Sequence, residues 1–516
     1  MKRALLTTAM LATALGVASP ATAEPFGVLT PATLASTDNP FPAGCGGPGE
    51  SSGTAYNYDG TEVEPYVAVN PTDAKNVVVA WQQDRWSDGG AHGLNHRYSI
   101  DGGLTFATSN PPFSKCAGGK PFNLGDFERS SDPWVSFGPT GTLYAISISF
   151  DDSTARNAVL INRSLDGGAT WKAVNDRPQF DNPRAIGNNF SDKESLTADP
   201  GDPAYAYAIW DRLVSPSERS SATAYQHGLG YRGPTYFSRT TDGGDSWSAG
   251  RKIYDPGEQN QTIGNQIVVS PDGTLVDGFD LIYNRKNAGK RRGLNVAIIR
   301  SYNKGVTWES KPTIVAPLRA IGVTDPEPVT GCRPLSPDLV CRDVRTGDII
   351  PEIAVDRSNK ATSGNLYMVW QEHQSSPFGD DTILLSRSVN GGTSWSEPIK
   401  VNATPTGVYN TQAFTAQVQV DDQGRVTVTY YDMRADQQAG GLDTQFWAVH
   451  SDDGGSTFGN EQELTNGAFD MRQAPYARGY FVGDYTGLGV FGSAFTPLWV
   501  QTSTAQGNDA YIARIG

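Results

Sequence analysis

One pattern, Ser/Thr-x-Asp/Asn-x-Gly-x-Thr/Ser-aromatic, occurs six times along the chain and limits the folds open to it. The copies are SIDGGLTF (Ser99–Phe106), SLDGGATW (Ser164–Trp171), TTDGGDSW (Thr240–Trp247), SYNKGVTW (Ser301–Trp308), SVNGGTSW (Ser388–Trp395) and SDDGGSTF (Ser451–Phe458). Each part has a physical reason. The Asp or Asn side chain accepts backbone N–H groups inside a tight turn. The Gly supplies the positive φ that such a turn needs. The closing Trp or Phe carries the chain into the next strand and packs inward. Spacings of 61 to 87 residues between copies are those of a supersecondary unit used over and over.

A second element recurs between these boxes: a strand, a turn, then a more apolar strand. It occupies Tyr66–Arg85, Asp132–Phe150, Ser195–Arg212, Gln266–Arg285, Glu352–His373, Ala416–Arg434 and Phe481–Gln501, seven copies against six boxes. Many short strands, with 57 Gly and 33 Pro at the turns between them, point to an all-β protein.

The box resembles the Asp-box of the sialidase-like β-propellers, and the resemblance covers nearly the whole chain after its leader. It implies a single propeller over 61–516, each blade drawing its two inner strands from the recurring pair and its two outer strands from the chain around a box. It also implies that the boxes are structural hairpins away from the active site, so their aspartates are not expected to be catalytic. After the seventh pair comes Ala510-Tyr511-Ile512-Ala513-Arg514, similar to the strand preceding the fifth box, and the sequence ends at Gly516 where a box would begin. The stretch Phe26–Pro31, within an N-terminal segment of 24–60, is expected to supply the missing outer strand and remove the free edges. Seven blades are expected, with six as the alternative.

Composition narrows the function classes. Lys2 and Arg3, an apolar run from Ala4 to about Ala18, and Ala21-Thr22-Ala23 read as an export signal over 1–23, with Glu24 the first mature residue. No later stretch is apolar enough to span a bilayer, so a secreted or periplasmic protein is expected. A formal net charge of −14 disfavours nucleic acid as a partner. The four cysteines suit two disulfides in an oxidising compartment, and Cys45–Cys116 with Cys332–Cys341 is the favoured pairing of three. His92 and His96 are read as a loop pair without metal. No cofactor is called for, calcium being left open, and a monomer is expected.

Propeller geometry places the long links Thr108–Ser131, Lys172–Lys193, Leu213–Gly233 and Ala316–Ile349 on the face opposite the boxes, where loop elaboration on a rigid scaffold carries function. The same face receives Glu64, Asp132, Asp192, Glu194, Glu352 and Asp484 from first-strand starts. Second-strand ends add Asp84-Arg85, Asp151-Asp152, Asp211-Arg212, Arg285, Glu372, Asp432 and Arg434. Such a ring of charges serves inter-blade ion pairing as readily as chemistry.

The resemblance assigns roles on that face. Asp484-Tyr485-Thr486-Gly487-Leu488 is similar to the family's Ala-Tyr-Ser-x-Leu and makes Tyr485 the nucleophile, neutral and activated by Glu194. Asp88 in WSDGG takes the acid/base position. Arg212, Arg285 and Arg434 become the substrate-carboxylate ligands, with Asp132, Glu352 and Asp484 lining the site, and the basic run Arg285–Arg292 would attract an anionic glycan. The family's first strand carries Arg-Ile-Pro. Here it is Val63-Glu64-Pro65, so one arginine of the family's carboxylate-binding triad is absent. Two functions follow: a secreted sialidase-like glycoside hydrolase acting on a terminal acidic sugar, and a non-catalytic propeller that binds glycans or proteins.

Overall fold

The computed structural model describes residues 26–42, 44–45, 55–154, 156–173, 189–214, 232–283, 293–319, 323–324, 343–374, 381–406, 411–436, 441–504 and 507–516. The expected export signal, Cys332, Cys341 and the run Arg285–Arg292 lie outside them, so the expected Cys332–Cys341 pairing and the Arg285 assignment do too. Among the described residues the regular structure is strand, with two short 3₁₀ turns at Pro121–Asn123 and Met471–Gln473.

The strands fall into seven four-stranded antiparallel groups in chain order, called sheets 1 to 7; the Ala91–Ser130 pairing joins the first two into one eight-stranded sheet, the sixth carries a fifth strand at Phe469–Asp470, and one small three-stranded sheet stands apart. Sheet 1 is Asn57–Asn70, Asp73–Trp86, Ala91–Ser99 and Ala107–Thr108; sheet 2 is Arg129–Phe137, Leu143–Phe150, Asn157–Ser164 and Lys172–Ala173. Sheet 3 is Asn189–Ala198, Ala206–Val214, Thr235–Thr240 and Arg251–Tyr254; sheet 4 is Asn260–Val269, Leu275–Tyr283, Leu294–Ser301 and Thr313–Leu318. Sheet 5 is Glu352–Val355, Leu366–His373, Asp381–Ser388 and Ile399–Lys400; sheet 6 is Ala413–Val420, Val426–Asp432, Asp443–Ser451 and Gly459–Glu463. Sheet 7 is Gly487–Phe491, Ala494–Thr504 and Gly507–Ile515, and its fourth strand is Val28–Leu34 from the other end of the chain, with Val28 opposite Ile515 and Leu34 opposite Tyr511. The first strand of each sheet touches the first strands of the sheets before and after it, and that of sheet 7 touches that of sheet 1.

The six boxes have nearly the same internal hydrogen bonds. Asp101 Oδ1 accepts from the Leu104 and Thr105 N–H groups and Oδ2 from the Thr105 hydroxyl, while Ser99 Oγ accepts from the Gly103 N–H. Asp166, Asp242 and Asp453 repeat the acceptance from the residue four on. Asn303 and Asn390 keep it too, the amide oxygen accepting the backbone N–H and the amide nitrogen donating to the Thr307 or Ser394 hydroxyl. A neutral amide fills the position because the turn needs one acceptor and one partner for a hydroxyl, not a charge.

Each box also docks on the preceding sheet. A Cβ added to Gly305 would lie 2.4 Å from the Phe237 ring, and one on Gly244 2.6 Å from the Tyr144 ring. Only a glycine, already at positive φ in both places, lets the hairpin approach so closely. The arginine preceding the box serine reaches the next box: Arg163 donates to the Gly243 carbonyl at 2.6 Å, Arg300 to Gly391 at 2.8 Å and Arg387 to Gly454 at 2.7 Å. Gly103 of the first box lies against Ile512 of sheet 7, which continues the series through the chain termini. The inter-sheet cores are filled by second-strand aromatics, of which Trp81, Trp210, Trp370 and Trp499 are fully buried. Truncating one of these to Ala would cost about 3–5 kcal/mol.

His92 and His96 lie on the strand Ala91–Ser99, not in a loop: Gly93 is taken into the strand beside Phe41, whose ring leaves no room for a side chain there. Cys45 and Cys116 form a disulfide that ties the N-terminal segment to the link between sheets 1 and 2.

Asp101 has its pKa lowered to about 2, chiefly by the Thr105 hydroxyl and then the Thr105 N–H. Its hydrogen bonds are therefore complete above the unfolded carboxyl value near 4 and are lost as pH falls through the folded one. Asp101→Asn is expected to keep stability within about 0.5 kcal/mol at pH 7 and to weaken its acid dependence, whereas Asp101→Ala costs about 1 kcal/mol; thermal melts from pH 6 to pH 2 measure both.

Candidate functional site

In five sheets the pairing between first and second strands slips at a matching point: after Val63, Ser131, Asp192, Ile263 and Phe414. A left-handed residue sits in each of these five: Glu64 (φ 54°), Asp132 (φ 55°), Lys193 (φ 46°), Gly264 (φ 71°) and Thr415 (φ 48°). Such bulges re-aim a side chain. For residues other than glycine the conformation costs on the order of 1–3 kcal/mol each and persists only where surroundings enforce it. Three of the four non-glycine positions are charged, on the three consecutive sheets 1, 2 and 3, and those three side chains meet.

Lys193 is their centre. Its ammonium lies 3.1 Å from Glu64 Oε1, 2.9 Å from Asp484 Oδ2 and 3.6 Å from Asp132 Oδ2, and 5.3 Å from the centre of the Tyr485 ring. Asp484 leads into sheet 7, so one lysine joins four sheets. On its other side Asp484 is gripped by Arg345, Nε to Oδ1 at 2.9 Å and Nη2 to Oδ2, a bidentate pair. Arg345 arrives on the small extra sheet of Val323–Thr324, Asp343–Arg345 and Tyr480–Phe481, lying opposite Phe481 in a parallel pairing. Gly347 (φ 63°) makes this approach sterically feasible: a Cβ there would stand 2.1 Å from the Asp484 carbonyl oxygen.

Arg85, at the end of the second strand of sheet 1, completes the group. It donates to Gln82 Oε1, and Gln82 in turn donates to Glu64 Oε2. Its guanidinium is 5.1 Å from the centre of the Phe481 ring, with Arg345 4.2 Å from the same ring. Arg85 Nε is buried without a hydrogen-bond partner. Burial, then Arg345, lower the Arg85 pKa to about 10, where it is still a cation at neutral pH; Arg478 lowers it further in the same sense.

The carboxyl groups divide into two kinds. Burial lifts Glu64 to about 8 against the opposing charge of Lys193, with Asp132 and Asp484 adding to the rise. Burial, then Asp132, lifts Glu194 well above the carboxylate range, and neither of its oxygens has a hydrogen-bond partner. Asp132 is buried as well, but Lys193 and the Glu64 and Ser131 hydrogen bonds hold it below its usual value. Asp484 is held far down by Arg345 and Lys193, which outweigh its burial. Two acids pushed toward the protonated form thus stand beside two carboxylates held toward the ionised form. Three cations, Lys193, Arg345 and Arg85, gather at this point of a chain of formal net charge −14.

The other expected residues are placed as follows. Tyr485 is buried among Tyr66, Trp134 and Lys193, and its hydroxyl faces the Pro133 carbonyl at 3.4 Å. Burial raises its pKa well above 10, and Glu64, Asp132 and Glu194 push the same way. Glu352 is buried and engaged by Gln266 and Gln417, and its pKa is raised to about 8 by burial. Asp88 pairs with Arg129 at 2.7 Å. Arg212 lies over the Tyr236 ring of its own sheet at 4.4 Å. Arg434 pairs with Asp432 and Glu461 of sheet 6 and lies over Trp447. Neither Arg212 nor Arg434 contacts the Lys193 group. Of the arginines that do gather there, Arg85 was expected only as one of the strand-end charges on this face, and Arg345, like Lys193, had no expected role. Glu64-Pro65-Tyr66 and Asp132-Pro133-Trp134, the same acid-Pro-aromatic triplet in adjacent sheets, are a readable sign of the bulge; Arg345 has none, because it belongs to no repeat.

No family model matches the chain, and no curated protein matches it in sequence. Among solved structures it is similar to the Hadza microbial sialidase Hz136, at 14% identity over 84% of this chain and 75% of that one, with a TM-score of 0.47. It is also similar to the α-L-arabinofuranosidase Arb93A from Fusarium graminearum, at 12% identity over 78% and 95%, TM-score 0.44. A sialidase from Trypanosoma rangeli in complex with sialic acid gives 13% identity over 75% of this chain and 54% of that one, TM-score 0.37. At these identities and scores the likeness assigns neither a substrate nor a residue role.

Glu194 supplies a test of this electrostatic reading. Its folded pKa is raised, so the native state keeps a proton that the unfolded chain loses near pH 4, and stability falls as pH rises above that point. Glu194→Gln is expected to match the parent near pH 4 and to exceed it in thermal stability at pH 8; equal pH slopes in the two proteins would contradict it.

Proposed function

We propose that the chain is a secreted glycoside hydrolase of sialidase-like architecture, a seven-bladed propeller closed by Val28–Leu34, that acts on a terminal acidic sugar at the Lys193 end of its axis. The observation that carries this reading is the gathering of Glu64, Asp132 and Asp484 around Lys193, beside Glu194 and Tyr485, with Glu64 and Glu194 pushed up in pKa by burial and Asp132 and Asp484 held down by Lys193 and Arg345. Glycoside hydrolysis asks for one acid to protonate the leaving oxygen and one carboxylate to act as base or nucleophile. Environments that push neighbouring carboxyl groups apart in pKa assign such roles. Glu64 is the favoured acid, and Asp132 the favoured carboxylate.

The gathering of Arg85 and Arg345 beside Lys193 favours an anionic substrate. Arg85 and Arg345 share one aromatic platform in Phe481, and Arg85 has an unused N–H. Guanidinium groups suit a carboxylate because they bind it through two parallel hydrogen bonds. These two take the place that Arg212 and Arg434 were expected to fill. Tyr485 remains the alternative nucleophile of the family scheme; its buried hydroxyl and raised pKa favour a proton held on oxygen until a base removes it.

A second reading, a glycan-binding propeller without chemistry, is favoured by one observation: Glu64, Asp132 and Asp484 are each at most 6% exposed and already paired.

Hydrolysis of fluorogenic glycosides of sialic and uronic acids by the mature protein separates the two. Glu64→Gln and Asp132→Asn are each expected to lower kcat by about 10²–10⁴-fold. Tyr485→Phe is expected to keep most of the activity if Asp132 is the working carboxylate, and to abolish it under the family scheme. Turnover unchanged in all three variants, or absent from the parent on every acidic glycoside, would overturn the hydrolase reading.

A further inference from the structure

Away from the axis, Cys45, Cys116 and His92 present two sulfurs and one imidazole nitrogen all within 4.8 Å of one another. The two sulfurs form a disulfide, and all three residues are partly exposed, so the bond is within reach of an external thiol. The histidine is held in a set orientation. Its Nδ1 lies 3.2 Å from Asp84 Oδ2. Asp84 is wholly buried and fixed in turn through Oδ1, which accepts from Asn39 Nδ2 at 2.8 Å and the Gly60 N–H at 2.7 Å. With Nδ1 engaged by a carboxylate, Nε2 is the nitrogen free to bind a metal. A carboxylate behind a ligating histidine fixes the tautomer and raises the basicity of the ligand.

The backbone around both cysteines is held without the sulfurs. Ser114 donates to the His92 carbonyl at 2.7 Å, and the Gly119 N–H donates back to the Ser114 carbonyl at 2.7 Å. The Lys115 N–H donates to the Phe127 carbonyl at 2.8 Å, and the Cys45 N–H to the Pro42 carbonyl at 3.0 Å. Reduction therefore leaves two thiols beside one oriented imidazole.

The geometry points to a redox-switched metal site: when the Cys45–Cys116 disulfide is reduced, Cys45, Cys116 and His92 bind one thiophilic divalent cation such as zinc, with Asp84 as the supporting carboxylate. An external dithiol breaks the S–S bond and is itself oxidised to a disulfide, and each Sγ gains a proton. Binding the cation then displaces both thiol protons. Two thiolates and an imidazole form a soft donor set with the fourth tetrahedral position open to water. Either state staples the N-terminal segment, which provides the outer strand of sheet 7, to the link that follows sheet 1. The site is independent of the proposed hydrolase function.

Cobalt(II) is the probe, titrated under anaerobic conditions into Cys332→Ser/Cys341→Ser protein reduced with a phosphine and desalted. One equivalent is expected to bind with a sulfur-to-cobalt charge-transfer band, and none with that band before reduction. Asp84→Asn is expected to weaken binding about 10–100-fold, and His92→Ala by at least as much. If the double-serine protein does not fold, the reduced full chain is compared with Cys45→Ser, which should bind one cobalt fewer. No charge-transfer band on the reduced parent, or equal affinity in His92→Ala, would overturn the site.

Discussion

The ammonium of Lys193 holds together what the repeat alone would leave open. It is nearly withdrawn from water, and that cost is offset only because Glu64, Asp132 and Asp484 stand around it. These groups come from sheets 1, 2, 3 and 7, so a single charge fixes four sheets at one end of the axis. The left-handed backbone at Glu64, Asp132 and Lys193 is the local cost of aiming all three side chains inward. Arg345 then neutralises the far side of Asp484 from a segment outside the repeat.

The two ends of the molecule are built on different principles. At the box end the same hydrogen bonds recur six times, and Asp and Asn exchange without altering the turn. Stability there is a sum of similar small terms, each docked on the sheet before it. At the Lys193 end one sheet contributes a lysine and three contribute carboxyl groups, and the energies are strongly coupled, because each carboxyl group sets the protonation of the next. Evenly repeated structure suits a scaffold, and the coupled cluster suits a site whose protons can move.

The sialidase-like pattern in the sequence led to Tyr485, Glu194, Asp132 and Asp484, and the structure brings these four into one neighbourhood. It led also to Arg212 and Arg434, which the structure occupies with Tyr236 and with Asp432 and Glu461. Strand-end arginines look alike in sequence, and each has a choice of partners that only packing resolves. Lys193 went unremarked between two acids, Asp192 and Glu194, because no rule of strand alternation survives a bulge: the extra residue changes which side chain points to the axis. Arg345 was unreadable for another reason, since its pairing with Asp484 spans 139 residues and no repeat marks it.

By itself, then, the sequence determined the strands, their turns and the order of the sheets. Those follow from local periodicity and from glycines and Asx side chains acting within a few residues. Tertiary structure alone decided which charges meet, since that depends on bulge direction and on Gly347 admitting a distant segment. It also decided their protonation, because the pKa of Glu64 is set by burial and by charges on three other segments.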